Sequence, residues 1–412
     1  MKRAAIAVSM CLSMTPSAAF AVDWSINATQ TETVEASSNL FLAPTPAGTL
    51  ASITRLSAEF EARTPDSKFD FDGDGNYTKY WGPGAETLSQ TESTNWGFKA
   101  HYETSGKNNF DREFVEVGWR EQSTAFALLN ELGIATRVAG ALDRLTATGG
   151  IDRSLSALDS LSLLATSTFT SYDPSAGGTS LTDTLAHAIW RHNLSSVTAL
   201  TATSEVELLN FDNAFNTSIM ILRNQVGVNA TLSPLLSFRG EAGAAYIITN
   251  DGVGTSLGGS GLPVAASGTD LDWIGDAVLT YNMFKDTTFT FTASQTIGPS
   301  IVGSLFKNDS IALGLGYTIN ELSSLSFSAA IGQSTSTATS DFASASASYS
   351  YKFLREWTAQ FSYRYLHRFA TSGTVTIDPI TNTPTVSGSA PTDSHTIIVV
   401  ISHSLTVLPH SD

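Results

Sequence analysis

Between Lys307 and Tyr365 apolar side chains fall on every second position. Ile311, Leu313, Leu315 and Tyr317 alternate with small residues. Leu325, Phe327, Ala329 and Ile331 do the same after Asn320-Glu321-Leu322, as do Phe361, Tyr363 and Tyr365 after Leu354-Arg355-Glu356. A period of two belongs to strands whose two faces meet different surroundings. The second face is Ser, Thr, Gly and Ala, too polar and too small to fill a core, so the stretch predicts hairpins with lipid on one side and water on the other. An open sheet edge in lipid leaves backbone groups unpaired at several kcal/mol each, so such strands have to close on themselves.

Composition fits that reading. Charged residues are only 15% of the 412, and no Gly/Ser or charge run divides the chain, so a single domain is expected. The apolar run Ile397 to Ile401 is far too short for a spanning helix. Lys2 and Arg3, the apolar Ala4 to Met14 and Ala19-Phe20-Ala21 have the order of a secretory signal peptide, which assigns 1–21 to export and 22–412 to the barrel. The one cysteine, Cys11, falls inside that leader, so neither disulfides nor thiol chemistry are expected of the barrel. A net charge of −16 argues against nucleic acid as a partner, since phosphate binding needs a basic surface. The acidity fits solubilising loops, an acidic lumen, or both.

Short turns recur at near-constant spacing around Asp159, Ser196, Pro234, Lys285, Glu321 and Arg355, with one longer step that holds the Gly-rich stretch 250–268. Such a period is that of an array of hairpins, with tight turns on the periplasmic side. The register extends backwards to Thr31–Leu40, Ala51–Arg63, Lys68–Tyr80, Gln90–Thr104 and Phe110–Glu121, and forwards from Leu145–Ser156 to Asp393–Val407. The fold expected is therefore an all-β, transmembrane, antiparallel up-and-down β-barrel of about 18 strands, with 16 as the alternative. Within 123–142 a loop helix and two further strands are equally compatible with the spacing. Trp119, Trp190, Trp273, Tyr317, Phe353 and Trp357 fall near strand ends, where aromatic girdles sit.

The alternation also names inward candidates. Glu59 and Glu61 oppose Ala58 and Phe60; Asp70, Asp72 and Asp74 oppose Phe69 and Phe71. Glu205, Glu207 and Arg223 follow, then Arg239 and Glu241, then Asp270, Asp272 and Asp276, and finally Arg364 between Tyr363 and Tyr365. A lipid-facing Arg or Lys at the midplane costs ~2–4 kcal/mol, so these faces are expected to meet water. They fit a lumen filled with mutual ion pairs, or a hydrated pore whose acidic bias favours cations or neutral solutes. By contrast Ser310, Ala312, Gly314, Gly316, Ser324 and Ser326 give the Lys307–Tyr365 stretch a nearly uncharged inner wall.

The hairpins, the leader and the phrase Ser156-Ala157-Leu158-Asp159-Ser160-Leu161-Ser162-Leu163 resemble outer-membrane β-barrel porins of alphaproteobacteria, some of which accompany exopolysaccharide loci. That resemblance covers nearly the whole chain after the leader. It implies a barrel in a Gram-negative outer membrane that contacts outer-membrane lipid and the barrel-insertion machinery and passes a hydrophilic solute or a polysaccharide. A structural barrel with a plugged lumen is the non-transport alternative. No cofactor or resident metal is implied. The last strand is followed by Leu408-Pro409-His410-Ser411-Asp412 instead of the terminal aromatic that insertion usually reads.

Other motifs are weaker. Asp70-Phe71-Asp72-Gly73-Asp74-Gly75 opens like a calcium loop, but its twelfth position is Trp81 where such loops need Glu. Gly252 to Gly261 lacks the Lys-Ser/Thr of a phosphate loop. His367 with Asp393, Ser394 and His395 at the outer rim is the one arrangement that could support a hydrolase, against a reading as ordinary rim residues.

Overall fold

The computed structural model describes residues 22–40, 42, 45–88, 90–106, 111–123, 141–172, 179–213, 216–250, 268–299, 305–335, 339–370, 375–377, 384–386 and 391–408. The leader, the ambiguous stretch within 124–140 and the Gly-rich segment 252–261 lie outside the described residues. Among the described residues twenty strands occur in chain order: β1 (Asp23–Ser37), β2 (Thr49–Arg63), β3 (Ser67–Trp81), β4 (Glu92–Ser105), β5 (Arg112–Ser123), β6 (Ala141–Ser154), β7 (Asp159–Tyr172), β8 (Ser180–Asn193), β9 (Thr198–Asp212), β10 (Ser218–Ser233), β11 (Leu236–Asn250), β12 (Gly268–Phe284), β13 (Thr287–Pro299), β14 (Leu305–Asn320), β15 (Ser323–Thr335), β16 (Thr339–Leu354), β17 (Trp357–Arg368), β18 (Val375–Ile377), β19 (Pro384–Val386) and β20 (Thr392–Leu408). The short β18–β19 ribbon stands apart from the main sheet.

The other eighteen pair antiparallel with their chain neighbours, and β20 pairs with both β17 and β1, so the sheet closes into a barrel without a free edge. Every strand expected from the alternation is present, and the larger of the two strand counts is the one found. The first strand starts earlier than expected, at Asp23 and not Thr31, because the outward position just ahead of Thr31 is the polar Gln30, which breaks the alternation.

Sequence chemistry makes the tight turns. Ser156 Oγ accepts from the backbone N–H of Leu158 and Asp159, and Ser195 Oγ accepts from Val197 and Thr198. Ser233 Oγ and Asn320 Oδ1 do the same for Leu235 and Leu322. A short oxygen-bearing side chain thus satisfies backbone donors that the strands cannot, which is why these turns favour Ser and Asn. The tight turns share one end of the barrel with the start of β1 and the end of β20; the longer connections share the other.

The outer face is a broad apolar belt. Leu56, Phe71, Trp190, Trp273, Ile311, Tyr317, Phe353 and Phe361 are all exposed there, as suits a surface whose solvent is hydrocarbon.

At two places near the long-loop end the chain folds inward. Pairing between β12 and β13 stops at Gly275↔Gln295, although β11–β12 pairing continues to Thr249↔Gly268 and β13–β14 pairing to Pro299↔Leu305. Beyond that point Ile297, with Leu305 against it, joins Leu209, Phe211, Ile219, Ile221, Ala245, Ile247 and Ile274 in one apolar cluster. Counted from Phe289 and Phe291, Ile297 belongs to the outward face, whereas Ile247 and Ile274 belong to the inward face of β11 and β12. The upper β13–β14 hairpin therefore lies inside the wall, its outward face laid on the inward face of β9–β12. The second place is the β1–β2 connection. Leu42 is fully buried at φ +46°, a left-handed backbone costly for Leu, and its carbonyl accepts from Arg368 Nη2 at 3.0 Å. A separate cluster of Leu40, Ala51, Tyr80 and Ala85 is buried at the same end of these strands. Gly82, at φ +97°, lets the chain after β3 pass the Gly48 carbonyl, which an added Cβ would approach to 2.8 Å.

Candidate functional site

The candidate site is the inner wall of the barrel. Side chains from strands two apart converge on the concave side of a closed sheet, and several charged groups do so. Arg120 on β5 reaches Asp74 on β3 at 2.5 Å, and Arg364 on β17 reaches Glu35 on β1 at 3.1 Å. Thr203 on β9 donates to Glu241 on β11 at 3.2 Å, across Gly227 of β10. A Cβ at Gly227 would lie 2.5 Å from Glu241 Cγ, so the missing side chain makes that approach possible.

Two charged sectors result. In the first, β2–β6, Lys68 lies 3.2 Å from Glu61 and 3.0 Å from Asp70, and Asp74 also binds Arg55 at 3.2 Å. Lys99 sits 3.7 Å from both Asp72 and Glu116, and Arg112 joins Glu103 to Asp152 at 3.2 and 3.0 Å. The calcium-like phrase at Asp70 is thus part of extended β3, its carboxylates bound to cationic side chains. Glu59, Glu61 and Asp70 bring three carboxylate oxygens within 4.8 Å of one another, the only such group among the described residues, but the Lys68 ammonium is already ion-paired with two of them.

The second sector, β9–β12 with the inward hairpin, is more buried. Arg223 forms ion pairs with Glu205 and, at 2.5 Å, with Glu207; the Arg223 and Glu207 side chains are only 12% and 6% exposed. Arg223 Nη2 also donates to the Ile297 carbonyl at 2.8 Å. Three inter-strand steps of about 4.8 Å separate β10 from β13 along the wall, farther than one arginine can reach, so this bond exists only because the hairpin has left the wall. Lys307 closes the same seam from β14, placing Nζ 2.8 Å from Asp272 Oδ1 on β12. Arg239 pairs with Asp276 at 3.2 Å. Asp270 has no ion-pair partner among the described residues; its carboxylate accepts only from the next backbone N–H, that of Leu271.

Arg223 and Arg368 thus play the same structural part at separate places on the wall. Each extends from an inward strand position to hold the backbone carbonyl of a segment folded into the barrel. Neither role is visible in the alternation, which gives a residue's face but not the segment that folds over it. Lys307 differs from expectation in the same way: it lies in the stretch with the nearly uncharged wall, yet its ammonium belongs to the charged seam.

The rim histidines do not assemble a hydrolytic site. His367 Nδ1 lies 2.7 Å from Asp393 Oδ1 and Tyr363 Oη 2.7 Å from His395 Nδ1, all on the outer face. Ser394 points to the opposite face, where it is buried against Ser37 Oγ at 3.1 Å. The nucleophile and base of the hydrolase reading are therefore separated by the sheet itself, since neighbouring residues of a strand alternate faces.

No protein-family model and no curated protein sequence matches the chain. Among solved structures, the barrel is similar to the FrpB iron transporter from Neisseria meningitidis (F3-3 variant), with a TM-score of 0.50 and 7% identity over 93% of this chain and 81% of that one. OccAB2 of Acinetobacter baumannii, at 10% identity, and OpdO of Pseudomonas aeruginosa, at 11%, each give a TM-score of 0.48, over 93% and 94% of this chain and 98% of theirs. At such identities what is shared with FrpB is the fold, a closed transmembrane β-barrel.

Proposed function

We propose that the protein is a porin-like channel of a Gram-negative outer membrane that passes small hydrophilic solutes passively, with an acidic inner wall favouring cations or neutral molecules. The observation that carries this reading is the wall itself: a closed barrel of eighteen strands, apolar outside, whose inner positions hold charged and hydroxyl side chains that only water could solvate. Barrels of about 16–18 strands are wide enough to leave an aqueous channel. Outer-membrane placement is supported by the leader-like N-terminus and by the shared fold with FrpB, itself a transporter.

Planar-bilayer recording of the folded protein tests it. Stable conductance steps with a cation-biased reversal potential are expected, and folded protein that never conducts would sink the channel reading in favour of a plugged structural barrel. Glu59→Lys with Asp72→Lys alters the acidic wall without touching the seam, and it should lower cation selectivity severalfold. Unchanged selectivity would show that these carboxylates do not face the conducting path.

Passage of a polysaccharide is the finer reading suggested by the resemblance to exopolysaccharide-associated porins. It is supported by the hydroxyl pairs of the inner wall, such as Thr148–Thr166, Ser294–Ser310 and Ser328–Ser346, which suit a polyhydroxylated chain. Added polysaccharide should then interrupt single-channel current.

A further inference from the structure

The outer face of β1 interrupts the apolar belt. Its outward positions include Trp24, Ala28, Gln30, Glu32 and Val34, and Gln30 and Glu32 are both exposed. Their face is fixed by register: Gln30 lies opposite Leu56, which is 59% exposed on the outside, while the neighbouring Glu35 and Arg55 turn inward to Arg364 and Asp74. Glu32 accepts from Thr54 Oγ1 at 2.7 Å and from Gln30 Nε2 at 3.1 Å.

Depth makes this carboxylate unusual. On the same face Trp24, Phe60 and Phe71 lie toward the short-turn end and Trp81 toward the long-loop end, while Tyr77 lies across from Thr54 on the row of Glu32 itself. Ile401 of β20 lies directly beside Glu32, with Val399 next to it. Aromatic rings mark the two water boundaries of a membrane barrel, so Glu32 sits between them, at the level of hydrocarbon. The outward ion pairs Lys79–Glu92 and Glu113–Arg153 lie near strand ends, where water and headgroups are within reach. An ionisable group facing hydrocarbon is costly, and such groups as a rule have a partner and a function.

We infer that this face is a contact between two copies of the chain, packed about a two-fold axis beside Glu32. The patch is complementary to itself. The carboxylate retains acceptor sites beyond the two that Thr54 and Gln30 fill, and the Gln30 amide retains a second N–H. A two-fold rotation, the commonest symmetry of homo-oligomers, offers the spare donor of each copy to the spare acceptor of the other. Lipid tails offer neither donor nor acceptor. The surface beside the patch is also shaped for close approach: Ala28, Ala58 and Gly73 form one row across β1, β2 and β3, along which nothing larger than a methyl group projects. Small residues are what let backbones pack closely inside a membrane.

The lone cysteine, Cys11, precedes the barrel, so single cysteines placed on the outer face report cleanly. Ala28→Cys should form a disulfide-linked dimer on mild oxidation in native membranes, whereas Val226→Cys, 70% exposed on β10, should not. Adding Glu32→Leu to Ala28→Cys should lower that cross-linking at least severalfold and shift native mass spectra from dimer to monomer. The variant should still fold, as heat-modifiable electrophoretic mobility reads, because leucine suits lipid. Three results would overturn the inference: Ala28→Cys cross-linking no faster than Val226→Cys, cross-linking to a different membrane protein, or a Glu32→Leu barrel that dimerises like the parent.

Discussion

Two sectors of the inner wall have the same period and different chemistry. Through β14–β16 the inward positions are mostly Ser, Ala and Gly, and the side chains touch as pairs of hydroxyls, Ser326–Ser348 and Ser328–Ser346, each at 2.7 Å. In β9–β12 they are Glu205, Glu207, Arg223, Arg239, Glu241, Asp272 and Asp276 below an apolar cluster. Of these two only the second has a segment laid over it; the other inward segment, at Leu42, is held from β17 by Arg368. A smooth hydroxyl wall gives an inward hairpin neither an apolar bed nor an anchoring charge. The β9–β12 sector gives both, with the apolar cluster under Ile297 and ionic contacts through Arg223 and Lys307. The difference teaches that side-chain alternation makes the barrel, and that the pairing of inward charges decides where it narrows.

The sharpest way to break this contrast is Arg223→Leu. Removing one partner of a buried ion pair leaves the other charges unpaired and costs about 3–5 kcal/mol. Here Glu205 and Glu207 both lose their cation and the Ile297 carbonyl loses its donor. Urea-induced unfolding in lipid vesicles should shift by about that amount, with the β13–β14 hairpin becoming protease-sensitive and the conductance larger. A parent-like unfolding midpoint with an unchanged conductance would mean that Arg223 does not hold the hairpin.

Lys307→Gln is the milder test of the same seam. The Lys307 and Asp272 side chains are each about one-third exposed, at 31% and 29%, so solvent screens the pair. A loss of ~0.5–1 kcal/mol is expected, diminishing at high salt. Hairpin proteolysis in Lys307→Gln should fall between the parent and Arg223→Leu; a rate equal to the parent would leave the seam to Arg223 and the apolar cluster alone.

These expectations also mark what the sequence could reveal. Faces and strand order were legible because lipid outside and water inside force a period of two, and Leu325, Phe327, Ala329 and Ile331 display it without a break. The turns were legible because Ser156, Ser195, Ser233 and Asn320 use their side chains to do a local job. The inward candidates were named by the same alternation, but their partners were not. Arg223 and Ile297, Lys307 and Asp272, and Arg368 and Leu42 are far apart in the chain, and nothing local encodes a hairpin leaving its neighbour. Glu32 is hidden for a related reason: as an outward acid it breaks the rule by which strands are read, so its face does not show in the alternation.

The smallest expected effect lies in the neutral sector. Ser328 and Ser346 share one hydrogen bond at an exposed position, where water replaces it readily. Ser328→Ala with Ser346→Ala should therefore cost less than ~1 kcal/mol, because the net worth of such a bond is ~0.5–1.5 kcal/mol even where it is less exposed. Conductance and selectivity should stay those of the parent. Ser328→Asp with Ser346→Asp asks the opposite question at the same place, since it puts two carboxylates side by side on a wall whose neighbouring cation, Arg364 opposite Ser346, is already paired with Glu35. If charge and not shape sets passage, this double variant should raise cation preference while the alanine pair leaves it alone. Equal selectivity in both variants would place the controlling charges wholly in the β2–β6 and β9–β12 sectors.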